Sequence, residues 1–385
     1  MKVVIAIDSL KGSLTSIEAG NAVRQGILKA IPDAEIIVKP LADGGEGTTE
    51  ALVEGYCGEF ASIKAKGPLS TPVNAIYGIL PKTKTAVIEV AAASGITLIS
   101  DEDKNPLCAT TYGVGEMIKD AISRGCRDFI IGIGGSATND GGLGMLSALG
   151  FKFFDSQGMP VGEGGAALAK IASISTKDQL PQLKDCSFKV ACDVNNPLYG
   201  HNGATYIFGP QKGVNQDMLE ELDQGMKNYA AQTKKCLKTD YANFPGSGAA
   251  GGLGFALISY LNATLTPGID LILDAIDLKS SVVNADYVVT GEGRLDHQTA
   301  MGKAPVGVAK LAKKYGAKVI ALAGSVTKDA AACNDEGIDA FFCILNSVVT
   351  LEEAMQKETA ADNISSTGEQ IFRLIKSSFS CLRQN

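Results

Sequence analysis

The stretch Asp128–Gly150, DFIIGIGGSATNDGGLGMLSALG, joins a buried-strand pattern, a glycine-rich polar loop and a helix in one unit. Asp128 to Ile133 reads as a short apolar strand, and Asn139 or Asp140 is placed to cap a helix whose inner face is Leu143, Leu146 and Leu149. Between them, Gly134 and Gly135 lack a Cβ and let backbone approach a ligand closely, while Ser136, Thr138, Asn139 and Asp140 offer hydroxyl, amide and carboxylate groups. A strand, loop and helix N-terminus in that order suit an anion, phosphate above all. The loop is not GxGxxG, and no GxxxxGK[ST] loop occurs in the chain. A tight turn that merely needs its glycines is the plain alternative.

Upstream, the β-branched run Val3–Ile7 ends on Asp8, and Thr15-Ser-Ile-Glu18 forms a capping box for a helix that Pro32 stops. A second strand, Glu35–Lys39, leads through the loop ADGGEGT (Ala42–Thr48) into a helix ending at Gly55. From about Gly67 the period changes to two, with strands Val73–Leu80 and Thr85–Val90 read as a hairpin. A strand at Phe188–Cys192 and helices at Thr111–Ser123, about Asn215–Lys234 and Gly248–Leu261 follow. After Thr266-Pro-Gly the βα rhythm returns, with strands at Tyr287–Thr290, Lys318–Ala323 and Ala340–Leu345 and a last helix from about Gly368. The expected fold is α/β: a doubly wound, flavodoxin- or Rossmann-like parallel sheet of about five strands, built from both chain ends. Residues 1–66 and 267–385 would form that discontinuous domain, and residues 67–266 an inserted second α/β domain.

At 385 residues the chain is long for one core. A net charge of -7, with Lys and Arg dispersed, argues against nucleic acid or an anionic membrane as partner. The nine cysteines include no CxxC pair or zinc-like spacing and read as reduced thiols. No signal h-region and no apolar run of membrane-spanning length occurs, so the expectation is a cytoplasmic protein. Homo-oligomer formation stays open.

In open parallel sheets, ligands bind beyond the carboxyl ends of the strands. Here those ends run into Asp8-Ser-Leu-Lys11-Gly-Ser13, Asp43-Gly44-Gly45-Glu46, Gly291-Glu292-Gly-Arg294-Leu-Asp296 and Gly324-Ser325. The inserted domain adds Gly134–Asp140 and Asp193-Val-Asn195-Asn196, and a cleft between domains is a common small-molecule site. Four glycine loops with acidic, basic and hydroxyl groups on one edge favour phosphoryl transfer. That chemistry needs cations (Lys11, Arg294 and, unless it is simply a solvated helix charge, Lys303), bare amides at the glycine turns, and carboxylates for Mg²⁺ or for the attacking hydroxyl (Asp43, Glu46, Glu292, Asp296). Taken singly, Asp43 or Asp296 reads more readily as a helix cap than as a base. The only histidines, His201 and His297, have no third group for a triad, and Cys192 on a buried strand reads as packing.

The strings DSLK (Asp8–Lys11), ADGGEGT, EVAAASG (Glu89–Gly95), GIGGSATNDGG (Gly132–Gly142), VACDVNNPL (Val190–Leu198), FGPQKG (Phe208–Gly213), GAAGGLG (Gly248–Gly254) and TGEGRLD (Thr290–Asp296) together resemble the bacterial type-1 glycerate kinase family, in order and over essentially the whole chain. The resemblance implies an ATP- and Mg²⁺-dependent kinase that converts D-glycerate to 2-phosphoglycerate. The first loop departs from the family pattern, having Ile7, Leu10 and Gly12 where Pro, Tyr and Glu are expected, while Asp8, Lys11 and Ser13 are kept.

On physical grounds the glycerate carboxylate would pair with Arg294 or Lys11, with Ser13 and Asn195 as further substrate contacts. Asp193, or else Asp8, would orient the attacking hydroxyl. The γ-phosphate would lie against Gly134–Asn139, with Asp140, Gly44, Gly45, Gly291 and Gly324 also near the nucleotide. Mg²⁺ would bind through the Asp43–Glu46 or Glu292–Asp296 loops. A nicotinamide-dependent dehydrogenase would want GxGxxG after the first strand, where DSLKGS stands. A non-catalytic sugar-acid sensor would need the same pocket with fewer charged loops.

Overall fold

The computed structural model describes residues 1–382. Two strands open the chain, β1 (Lys2–Ile7) and β2 (Glu35–Pro40). The middle holds β3 (Glu59–Lys66), β4 (Pro72–Leu80), β5 (Thr85–Glu89), β6 (Asp128–Gly132), β7 (Lys152–Phe154), β8 (Ser173–Ser175), β9 (Ser187–Ala191) and β10 (Thr264–Thr266). Strands β11 (Tyr287–Leu295), β12 (Lys318–Val326) and β13 (Ala340–Cys343) close it. The chain forms two compact units: residues 1–43, 50–56 and the chain from Ile269 onward make the first, and residues 44–49 and 57–268 the second.

In the first unit the strands lie in the order β2–β1–β11–β12–β13, every neighbouring pair parallel. Both ends of the chain therefore share one doubly wound sheet, and the strand order reverses between β1 and β11. Val3, Ile5 and Ile7 of β1 bury against Val23 and Ile27 of the helix Ser16–Ala30 and against Ile364 and Phe372 of the helix Lys357–Leu382. Val4 and Ala6, pointing the other way, are equally buried, as a strand covered on both faces requires. The Thr15–Glu18 capping box forms as its spacing predicts, and the helix ends at Ala30 ahead of Pro32. The last helix begins at Lys357, well before Gly368. Asn363, Ser365, Ser366 and Thr367 are poor helix formers locally, but packing on Ser16–Ala30 overrides this. Gly26 is what lets the two helices meet: a Cβ there would stand 2.0 Å from the Ser365 carbonyl oxygen.

The second unit carries a mixed sheet in the order β10–β9–β6–β5–β4–β3, parallel from β10 to β5 and antiparallel beyond. The hairpin read from the sequence is β4–β5. Strand β3, expected within 1–66 of the first domain, pairs with β4 along its whole length, and its Ala61 and Ala65 enter the second unit's core. The segment 44–49 also belongs here, held where the Thr49 amide donates to Glu89 Oε1 at 2.8 Å. The helix Ala249–Leu261 does not start as an α-helix: Ala250, Gly251 and Gly252 are left-handed, at φ 51°, 68° and 88°. No helix of the described residues is long and apolar enough to cross a membrane.

Candidate active site

The reversal between β1 and β11 puts Asp8 beside Gly291, whose carbonyl accepts the Asp8 amide at 2.9 Å. Strand β11 continues as far as Leu295, whereas β1 pairs with it only to Gly291. The stretch read as the loop GEGRLD is thus mostly strand, and beyond Gly291 only β12 pairs with it, with Arg294 opposite Ser325. Alternation along the strand sends Glu292 and Arg294 to the same face. Gly293 lies under the turn Asp8–Ser13, nearest to the Lys11 amide and the Leu10 Cα.

Three acids charge this edge. Asp8 is 9% exposed. Burial first, then the neighbouring charges of Asp43 and Glu292, push its pKa up from 3.8 to about 7, against the Ser9 amide and the Lys11 cation. Burial likewise raises Glu292, whose Oε1 accepts the Thr299 hydroxyl at 2.5 Å and which Lys303 partly compensates. Ser13 Oγ is buried and has no hydrogen-bond partner among the described residues.

Of the other predicted members of this edge, Asp296, Gly291 and Gly324 serve the scaffold. Asp296 is the N-cap of the helix His297–Ala300, its Oδ1 accepting the Gln298 and Thr299 amides at 2.8 and 3.3 Å. Arg294 is largely exposed, its Nε 3.8 Å from Asp296 Oδ2. Gly291 and Gly324 do not form open amide turns: a Cβ on Gly291 would sit 1.9 Å from the Leu322 carbonyl oxygen, and one on Gly324 2.8 Å from that of Gly293. They are glycine because neighbouring backbone lies against them. Among the described residues no group of three or more His, Cys, Asp or Glu side chains has metal-holding geometry.

In the second unit the stretch after β6 turns at Gly134 and Gly135, both exposed. Gly135 has φ +69°, and nothing lies within 4 Å of where a Gly134 Cβ would be, so the turn is open above its backbone. Its flank is pinned: the Gly135 carbonyl accepts the Ile96 amide, and the Ala137 amide donates to the Ser94 carbonyl, both at 2.8 Å. Thr138 Oγ1 and Asn139 Oδ1 are buried without partners among the described residues.

Of the two parts the sequence offered Asp140, helix cap and nucleotide contact, the bonds it makes are those of the cap. The residue is fully buried, and its carboxylate accepts the Thr111 amide and hydroxyl at 2.8 Å each, the Gly142 amide at 3.0 Å and the Gly144 amide at 3.2 Å. Those bonds occupy the start of the helix Leu143–Ala148, so the carboxylate itself takes the place a phosphate would have at that helix N-terminus.

Beneath that turn lies Lys212, 3% exposed, a cation that sequence reasoning did not single out. Its Nζ donates to Ser136 Oγ at 2.9 Å and to the Thr138 carbonyl at 2.8 Å. Burial pushes its pKa down to about 7, while the Asp140 charge pulls it up. The one signal available was its place in FGPQKG. Asp193 and Asn195 follow β9 and are exposed. Asp193 Oδ1 accepts the Gly268 amide at 2.8 Å, at the first residue of the helix Gly268–Ala275. Gly44, with φ +88°, packs on Gly268 and Ala191, and the Gly45 carbonyl accepts the Thr48 amide at 3.3 Å. Glu46 is exposed.

Residues 3–376 match the family model described as the glycerate kinase family. The chain is 47% identical over 376 residues to the glycerate kinase of Bacillus subtilis (strain 168), covering 98% of each chain. It is 48% identical over 364 residues to the glycerate 2-kinase of Escherichia coli (strain K12), covering 94% of this chain and 95% of that one. A crystal structure from Salmonella typhimurium LT2, assigned as glycerate kinase 2, superposes with a TM-score of 0.91 at 43% identity and 99% coverage of both chains.

Proposed function

The chain belongs to the glycerate kinase family, and from that premise we infer that it transfers the γ-phosphoryl group of ATP to the 2-hydroxyl of D-glycerate, giving 2-phosphoglycerate and ADP. The observation that carries the mechanistic reading is Asp8: a carboxyl group at the β1/β11 reversal whose affinity for a proton is matched to neutral pH. A general base works best when its pKa lies near the working pH, so Asp8 takes precedence over Asp193 as the group that accepts the proton of the attacking hydroxyl.

Lys11 and Arg294 hold the glycerate carboxylate, and Ser13 and Asn195 position its hydroxyls. The turn Gly134–Ser136 presents backbone amides to the γ-phosphate. The acidic edge suits a hard cation: Asp43 and Glu292 offer oxygen donors, and their charges raise Asp8 together. Mg²⁺, when bound with the nucleotide, would neutralise phosphate charge and needs only one or two such carboxylates, with water and phosphate oxygens completing its shell. The reading includes a cytoplasmic location, where ATP is supplied.

Incubating the protein with ATP, Mg²⁺ and D-glycerate while following ADP tests the reaction, and ³¹P NMR of the product identifies the hydroxyl. Release of ADP only in the presence of D-glycerate is expected; its absence would overturn the reading. Asp8→Asn is expected to lower kcat by roughly 10²- to 10⁴-fold and Asp193→Asn by less; the reverse ranking would return the base to Asp193.

A further inference from the structure

We propose that Lys212 is a positioning residue for the phosphate-binding turn: from beneath, its amino group ties Ser136 Oγ to the Thr138 carbonyl and so fixes the direction in which the Gly134 and Gly135 amides point. The proposal rests on the reading that this turn receives the ATP phosphates. It is carried by three observations in the second unit. The Lys212 side chain is sealed from solvent, and both of its acceptors, at 2.9 and 2.8 Å, belong to the turn or to its exit. Burying an amine is unfavourable unless its donors are satisfied, so a lysine here has to be matched by acceptors at fixed places.

The rest of the turn's surroundings hold it without reaching its ligand-facing side. The left-handed residues of the helix Ala249–Leu261 lie on the far flank: a Cβ on Gly251 would stand 2.1 Å from the Thr138 carbonyl oxygen, the atom that Lys212 grips. Asp140 anchors the end of the segment through its four donors and is the charged group that acts on Lys212. Without Lys212, the Ser136 side chain and the Thr138 carbonyl lose their shared donor and the turn keeps its backbone ties only on one side.

The test uses the full chain, with nucleotide and D-glycerate affinities measured separately by calorimetry alongside steady-state kinetics. Lys212→Met is expected to raise the KM and Kd for ATP at least tenfold while the Kd for D-glycerate stays within twofold. Ser136→Ala removes only one acceptor and is expected to raise the same two ATP constants by a smaller factor, which keeps the proposal testable should Lys212→Met fail to fold. Lys212→Arg, which restores donors in the same place, is expected to recover part of the loss. Folded variants that bind ATP as the wild type does, or that lose both ligands equally, overturn the proposal. If the wild type itself neither binds ATP nor releases ADP, the reading of the turn falls and the positioning role falls with it; wild-type turnover with unchanged variants sinks the positioning role alone.

Discussion

On the proposed mechanism, Asp8 joins activity and stability through one proton. Its folded pKa, about 7, lies above the ordinary 3.8, so between these values the folded state holds a proton that the unfolded chain has released. Stability is therefore greatest below pH 3.8 as far as this group is concerned and is lost as pH rises toward 7. The shift corresponds to an upper limit of roughly 4 kcal/mol at alkaline pH. Asp8→Asn, which removes the charge, is expected to raise Tm at pH 8 while it slows turnover; a lower Tm at pH 8 would contradict this account of the buried carboxylate. As a base, Asp8 must be ionised, so kcat/KM should rise with pH through an acid limb near 7. Lys11 lowers that pKa, and Lys11→Met should move the limb to higher pH. Added Mg²⁺ should move it lower, because neutralising Asp43 and Glu292 removes two of the causes that raise Asp8 while burial remains.

At the level of elements, close approach has been built in with glycine. The helices Ser16–Ala30 and Lys357–Leu382 touch where Gly26 meets Ser365, and a methyl group has no room there. Gly26→Ala is expected to cost about 1–3 kcal/mol by overpacking, visible as a lower midpoint in urea with catalysis by the remaining folded enzyme unchanged. The capping box at Thr15 is worth about 1 kcal/mol, and Thr15→Ala should lower the same midpoint by less than Gly26→Ala. The two substitutions separate a local signal from a tertiary one: the cap acts within four residues of sequence, whereas the glycine contact joins segments from opposite ends of the chain.

For the molecule as a whole, the second unit has a sheet of its own and a contiguous core that includes Tyr77, Phe129, Met145, Phe188, Tyr229 and Phe255. Residues 57–268 expressed alone are expected to unfold cooperatively, as followed by circular dichroism; a fragment without a sigmoidal transition would mean that this core depends on the remaining chain. The first unit depends on both chain ends, since β1 lies between β2 and β11. A chain truncated before Tyr287 would leave one side of β1 unpaired, and its first unit should not fold.

The sequence by itself determined the periodic elements, the capped helix at Thr15, the β4–β5 hairpin, the sheet shared by both termini and the family, because each of these is written in a few adjacent residues or in their order. It also pointed to the Asp8, Glu292 and Gly134 segments. Tertiary structure alone decided which groups are available for chemistry. Asp140 and Asp296 read from the sequence as helix caps or as ligand groups and make the bonds of caps, Gly291 and Gly324 serve strand packing, and β3 joins the second sheet through alanines that show no pattern on their own. The buried state of Lys212 and the shared charge of Asp8, Asp43 and Glu292 arise from residues tens to hundreds of positions apart. Desolvation and Coulomb interaction depend on distance in space, and a local reading of the chain does not contain that distance.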